Sequence, residues 1–332
     1  GATILFMRLW LEVASVLNDL NTSITANQLF NIREIKRSYP LISSGVLVAD
    51  VVSGFSLPLL LRLFGLPNVI LIACVVMGVG VVILLYLSHN YQQFFPDARR
   101  RMTEDDPSSS VTRRVQGPLR NYMVLLFTFF ILAQVLYLLV DFQFLSQLEI
   151  VQKGKPGGIA SFIGYFNGTL GIFELAMQWF VSSRLIERMG LFAAVMFLPA
   201  GMVLLGGLSL LSSFTGAAAS VVFGSLVTLK FWDELLHFTL FASTGPVLFQ
   251  PMPDSVRNNL QSVVRGIAEP LSTGVTGLAV LTIIWVYKQT AVEDQLQSKT
   301  FVMLIVLLAG AWLLTVWLLR ACLLYTSDAA DE

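Results

Sequence analysis

The chain has 332 residues, a formal net charge of zero, 13% charged and 55% hydrophobic residues, and a mean hydropathy of +0.74. A soluble domain carries about 25% charged residues, so this composition excludes an ordinary soluble enzyme, and the lack of a basic excess argues against a nucleic-acid binder. It fits an all-α, polytopic membrane protein whose main partner is the lipid bilayer. Two cysteines, Cys74 and Cys322, permit at most one disulfide.

An α-helical span needs about 20 mostly apolar residues, because the hydrocarbon layer is about 30 Å thick and a helix rises 1.5 Å per residue. Nine runs meet that length, at 4–30, 41–64, 69–87, 122–144, 159–181, 191–211, 217–240, 262–287 and 301–319. The first carries Arg8 and Glu12 at i,i+4 spacing, then Asp19 on nearly the same side, with Asn18 and Asn21 adding polarity. Such a helix cannot face lipid all round, so Glu12 and Asp19 read as lining a cavity, while Arg8 either joins them or snorkels to the outer interface. The second run contains Asp50. After the third, residues 92–119 hold Pro96, Pro107, Pro118, a Ser108-Ser109-Ser110 run and mixed charge, which is linker composition.

Beyond the linker, Asp141 and Glu174 are single acids in the fourth and fifth runs, Glu174 being the better placed of the two. Gly164, Gly168 and Gly171 form a small-residue seam that lets the fifth helix approach a neighbour closely. The seventh run concentrates charge: Lys230, Asp233, Glu234 and His237 lie at offsets of 3, 4 and 7, on one helical face. A charge at the bilayer centre costs about 2.5–3.5 kcal/mol on insertion scales, so this face must point into a bundle or a wet cavity. It reads either as a substrate or proton site or as an internal ion-pair network. In the eighth run Arg265 and Glu269 repeat the i,i+4 spacing just before Pro270, whose missing N–H predicts a kink.

Lys and Arg accumulate in short cytoplasmic loops. Exits of odd-numbered spans hold thirteen of them (Arg33, Lys36, Arg37, Arg99, Arg100, Arg101, Arg113, Arg114, Arg120, Arg184, Arg188, Arg257 and Arg320), and the alternate loops hold five (Arg62, Lys153, Lys155, Lys288 and Lys299). The odd exits are therefore expected in the cytoplasm, with Gly1 on the outer side. Gly1 opens within a turn of a hydrophobic run, so upstream sequence is expected. Residues 322–332 resemble the translation of a sequencing-library adaptor and are set aside from the fold.

Three runs before a polar linker and six after it resemble the major facilitator superfamily, which joins two six-helix halves in this way. Ser183-Arg184-Leu185-Ile186-Glu187-Arg188-Met189-Gly190 resembles, in degenerate form, the short basic loop between the second and third helices of a half. The resemblance implies a major-facilitator-type bundle with nine of about twelve helices present. Residues 1–91 would then be the last three helices of the first half, 92–119 the cytoplasmic linker, 120–321 the second half and 322–332 a non-native tail.

Ala26-Asn27-Gln28, followed by Arg33-Glu34-Ile35-Lys36-Arg37-Ser38-Tyr39-Pro40-Leu41, resembles the fourth-helix exit of the nucleotide (ATP/ADP) translocases. Lys230-Phe231, Pro246-Val247-Leu248-Phe249-Gln250-Pro251-Met252-Pro253-Asp254 and Arg265-Gly266-Ile267-Ala268-Glu269-Pro270 resemble that family's divergent bacterial branch, whose members are often fused to helical-repeat and cyclic-nucleotide-binding domains. Where the exchangers carry a Lys-Ser-Gly-Gly-like segment late in the helix, this chain has Glu269-Pro270-Leu271-Ser272-Thr273-Gly274.

The resemblance implies a multi-pass protein of a bacterial inner membrane that moves a nucleotide or related phosphorylated anion by alternating access. Lys230 and Arg265 would meet phosphate, and Asp233, Glu234, His237, Glu269, Glu12, Asp19 and Glu174 would complete the cavity. The alternative is a non-transporting sensor or scaffold of the same fold that anchors soluble regulatory domains. No Walker loop, His/Cys metal cluster or Ser-His-Asp set occurs, so no enzyme activity, cofactor or metal is expected.

Overall fold

The computed structural model describes residues 6, 10, 32–90, 118–152, 155–215, 218–252, 260, 261, 263–289 and 294–328. Among these the chain is helical, without strands. Of the first expected span only Phe6 and Trp10 are described, and residues 92–117 of the linker, the Ala26-Asn27-Gln28 motif, Arg8, Glu12 and Asp19 lie outside the described residues, while Pro118 and Leu119 already belong to a helix. The chain divides into two compact units, Gly1–Arg113 and Arg114–Glu332.

In the first unit, α1 (Ile32–Asn90) is two helical arms broken at Gly65, whose φ of 76° favours a residue without Cβ. The break falls between the two runs expected at 41–64 and 69–87. It frees backbone carbonyls, one of which, that of Phe64, accepts a 2.8 Å hydrogen bond from Asn68 Nδ2. Residues 33–37, read above as an inter-span loop, are already helical here, because α1 begins a full turn and more before Leu41. Much of this unit's apolar surface is exposed, from Val52 and Leu59 to Val76 and Leu85.

The second unit is built from α2 (Pro118–Val151), α3 (Pro156–Ala176), α4 (Ser182–Met189), α5 (Leu191–Phe214), α6 (Ala219–Leu236), α7 (Glu269–Gln289) and α8 (Asp294–Asp328). α4 ends at Gly190, whose φ of 82° turns the chain straight into α5. α8 packs along α5 and α2, and α6 wedges against α5 and α2 with α3 on its outer side. Their shared core contains Leu126, Phe129, Leu136, Met202, Leu229 and Trp312. Burial of such side chains is worth about 1.5–3 kcal/mol each in water. Between helices in lipid the gain comes instead from close packing. Packing is close where Gly201 faces Trp232, since a Cβ at Gly201 would land on the indole ring.

Six helices among the described residues are long and apolar enough to cross a membrane: Leu47–Gly65, Arg120–Val151, Gly157–Val181, Leu191–Phe214, Gly266–Gln289 and Ser298–Cys322. Asn68–Ile83 is apolar but shorter, corresponding to the third expected run. The seventh expected run, 217–240, does not qualify on apolarity, because α6 carries Lys230, Asp233 and Glu234 within 18 residues.

Three stretches have π-helical geometry: Met177–Val181, His237–Phe241 and Val264–Ala268. Each widens a helix by one residue per turn, a feature frequent at functional sites. The third lies where the kink is expected. Pro270 cannot donate to the carbonyl four residues back, and the chain accommodates it by a wide turn in which the Glu269 N–H reaches the Val264 carbonyl.

Candidate functional site

The charged face of α6 turns inward. Lys230 is 2% exposed and stands beside Phe129 and Trp312 among the largest fully buried side chains. Its Nζ lies 3.0 Å from Glu234 Oε1, one turn along the same helix, and 2.9 Å from Asp141 Oδ1 on α2. It also sits 4.8 Å from the centre of the Tyr137 ring, one turn before Asp141, so α2 supplies a carboxylate and an aromatic face to one cation. The spacing of Tyr137 and Asp141 on α2, i and i+4, places both toward α6.

Asp233 is 1% exposed, and its Oδ2 has no hydrogen-bond partner among the described residues. His237 opens the π-helical turn that follows α6, stacks on Phe241 at 4.8 Å and meets the Tyr137 ring at a tilt, 5.0 Å between centres. Its Nδ1 likewise has no hydrogen-bond partner. The Ala242 N–H reaches back five residues to the His237 carbonyl. Two hydroxyls stitch this widened turn together: Thr239 Oγ1 donates to the Leu235 carbonyl, and Thr244 Oγ1 donates to the Leu240 carbonyl at 2.7 Å.

Burial grades across the cluster. Asp141 is 33% exposed and Glu234 15%, whereas Lys230 and Asp233 are sealed. Asp141 is thus the most exposed member of the cluster.

Glu174 is also buried, on α3. The ring contacts Phe162–Phe223, Phe166–Phe231 and Phe173–Phe231 run in step along α3 and α6, so the two helices travel in the same direction and Glu174 stands near the level of the charged turn. Between them lies a crevice of about 380 Å³ lined by Phe162, Tyr165, Phe166, Phe231, Thr169 and Thr228. Both threonine hydroxyls donate to carbonyls of their own helices, leaving the crevice apolar. Gly164, Gly168 and Gly171 are buried.

Lys230, Asp233, Glu234 and His237 are therefore on one buried face, as their spacing required. Asp141, read from the sequence as an isolated acid, is the partner that spacing on α6 could not reveal. Glu269 lies apart at the start of α7, half-buried, its backbone carbonyl accepting from Ser272 and Thr273. Arg265 lies on the π-helical turn before it, with its side chain outside the described residues. Cys74 and Cys322 are both free thiols, and no cluster of His, Cys, Asp and Glu suited to a metal occurs among the described residues. The chain matches no family model, no curated protein and no solved structure.

Proposed function

We propose that the chain is part of a secondary transporter with a major-facilitator-type bundle, in which Lys230 receives an anionic solute of the nucleotide or phosphorylated-anion class. The observation that carries this reading is a lysine sealed inside an apolar bundle and shared by carboxylates of two helices, at 2.9 and 3.0 Å. Buried ion pairs stabilise a fold little more than apolar packing of the same volume does, so stability alone is a poor reason for four ionisable groups there. Asp141 and Glu234 hold the cation in the empty state, and an anion arriving past the part-exposed Asp141 competes with them for it. A displaced pair lets α2 and α6 move apart, which links binding to the rearrangement that alternating access requires.

The test is equilibrium binding of radiolabelled ATP to the purified chain in lipid nanodiscs. Binding is expected in the unaltered chain and lost in Lys230→Gln, with both proteins monodisperse. Equal binding by the two proteins, or none by the unaltered chain, overturns the reading.

A further inference from the structure

We propose that Asp233 is a proton-binding site, a carboxyl that takes up and releases a proton as the Lys230 cluster fills and empties. The site stands on geometry. One cation, Lys230, is paired with Asp141 at 2.9 Å and Glu234 at 3.0 Å, and a third carboxyl, Asp233, lies three residues further along the same helical face. The first two occupy the ammonium. Asp233 is the most deeply buried of the three, with an oxygen that finds no donor. An ionised carboxylate deprived of both water and donor is among the most disfavoured buried groups. A proton removes that charge without any change of shape.

The groups facing Asp233 are few. α6 and its continuation supply Lys230, Glu234 and His237, α2 supplies Asp141 and Tyr137, α3 brings Glu174 to the same level, and α5 contributes no ionisable side chain. No set of ligands for a divalent metal occurs among the described residues.

The step is a simple protonation. A carboxylate oxygen of Asp233 forms an O–H bond with a proton taken from solvent hydronium, which leaves as water, and the same bond breaks when the proton returns to solvent. Coupling follows from the charge of Lys230, and this part rests on the transport reading above. Shared by Asp141 and Glu234 in the empty state, the ammonium still favours ionised Asp233 through space. Once an anion neutralises it, Asp233 keeps its proton, so anion and proton bind together.

Dicyclohexylcarbodiimide attacks protonated carboxyls in apolar surroundings and leaves an adduct that peptide mass spectrometry locates. Applied to the purified chain in nanodiscs, it is expected to label Asp233, less as pH rises, and more when ATP is added. Asp233→Asn should lose the adduct and Glu234→Gln retain it. Should Asp233→Asn fail to fold, Asp233→Glu serves instead, keeping the adduct on the same peptide with the added methylene mass. An adduct confined to Glu234 or Asp141, labelling independent of pH, or protection by sodium ions at fixed pH overturns the proposal. Loss of ATP binding with Asp233 labelling intact overturns the transport reading alone. Intact ATP binding without labelling overturns the proton site alone.

Discussion

Lys230 on α6 and Asp141 on α2 are joined by a 2.9 Å ion pair, and Glu234 closes on the same ammonium from within α6. The pair fixes how the two helices meet. Removing only the cation, as in Lys230→Met, strands two acids, and breaking a buried pair in this way costs about 3–5 kcal/mol. Replacing Lys230, Asp141 and Glu234 together with apolar residues should recover most of the loss. Thermal unfolding in detergent, followed by tryptophan fluorescence, gives both values. A triple variant no more stable than Lys230→Met would mean that the charges are indispensable to the fold.

Gly201 and Trp232 make a second, purely steric contact between α5 and α6. Gly201→Ala places a methyl on the indole, and because Trp232 also packs at a tilt against Phe197, 5.3 Å between ring centres, it has little room to turn. Overpacking of this kind costs about 1–3 kcal/mol. Gly207→Ala, on the same helix with open space around it, is the control and should be nearly neutral in the same melting experiment.

Tyr122 at the start of α2 donates a 2.6 Å hydrogen bond to the Leu248 carbonyl in the 3₁₀ turn Pro246–Phe249. Tyr122→Phe leaves that buried carbonyl without its donor, for a loss of about 1–3 kcal/mol. Amide hydrogen exchange should rise across residues 246–252 while the centre of α8 stays protected. Unchanged exchange in the turn would show that the bond does not hold it.

The charge asymmetry of the loops makes a prediction about orientation. With Ser109→Cys as reporter, an impermeant thiol reagent added outside intact cells should leave it unmodified, and modification should follow once the membrane is opened. Rapid modification in intact cells would reverse the topology.

The helical class, the boundary between the second and third runs and the inward face of α6 are legible in the sequence because each is a local property: hydrophobic run length, the interruption of a run, and 3.6-residue spacing. Asp141 was legible only as an oddity, since its meaning depends on a residue from another helix arriving opposite it. The π-helical turns at Met177–Val181 and His237–Phe241 leave no compositional trace, being settled by packing. At Val264–Ala268, by contrast, Pro270 announces the disturbance and only its form was hidden.

The polarity of α6 also bears on how the chain is assembled. With Lys230, Asp233 and Glu234 inside 18 residues, and an insertion penalty of about 2.5–3.5 kcal/mol for each such charge at mid-membrane, α6 is a poor candidate to leave the translocon for lipid by itself. Its counter-ion is made first: α2 precedes α6 in the chain and, unlike α6, is long and apolar enough to cross a membrane. An assembly route in which α2 stays at the exit until Asp141 can take the ammonium would spare α6 that penalty.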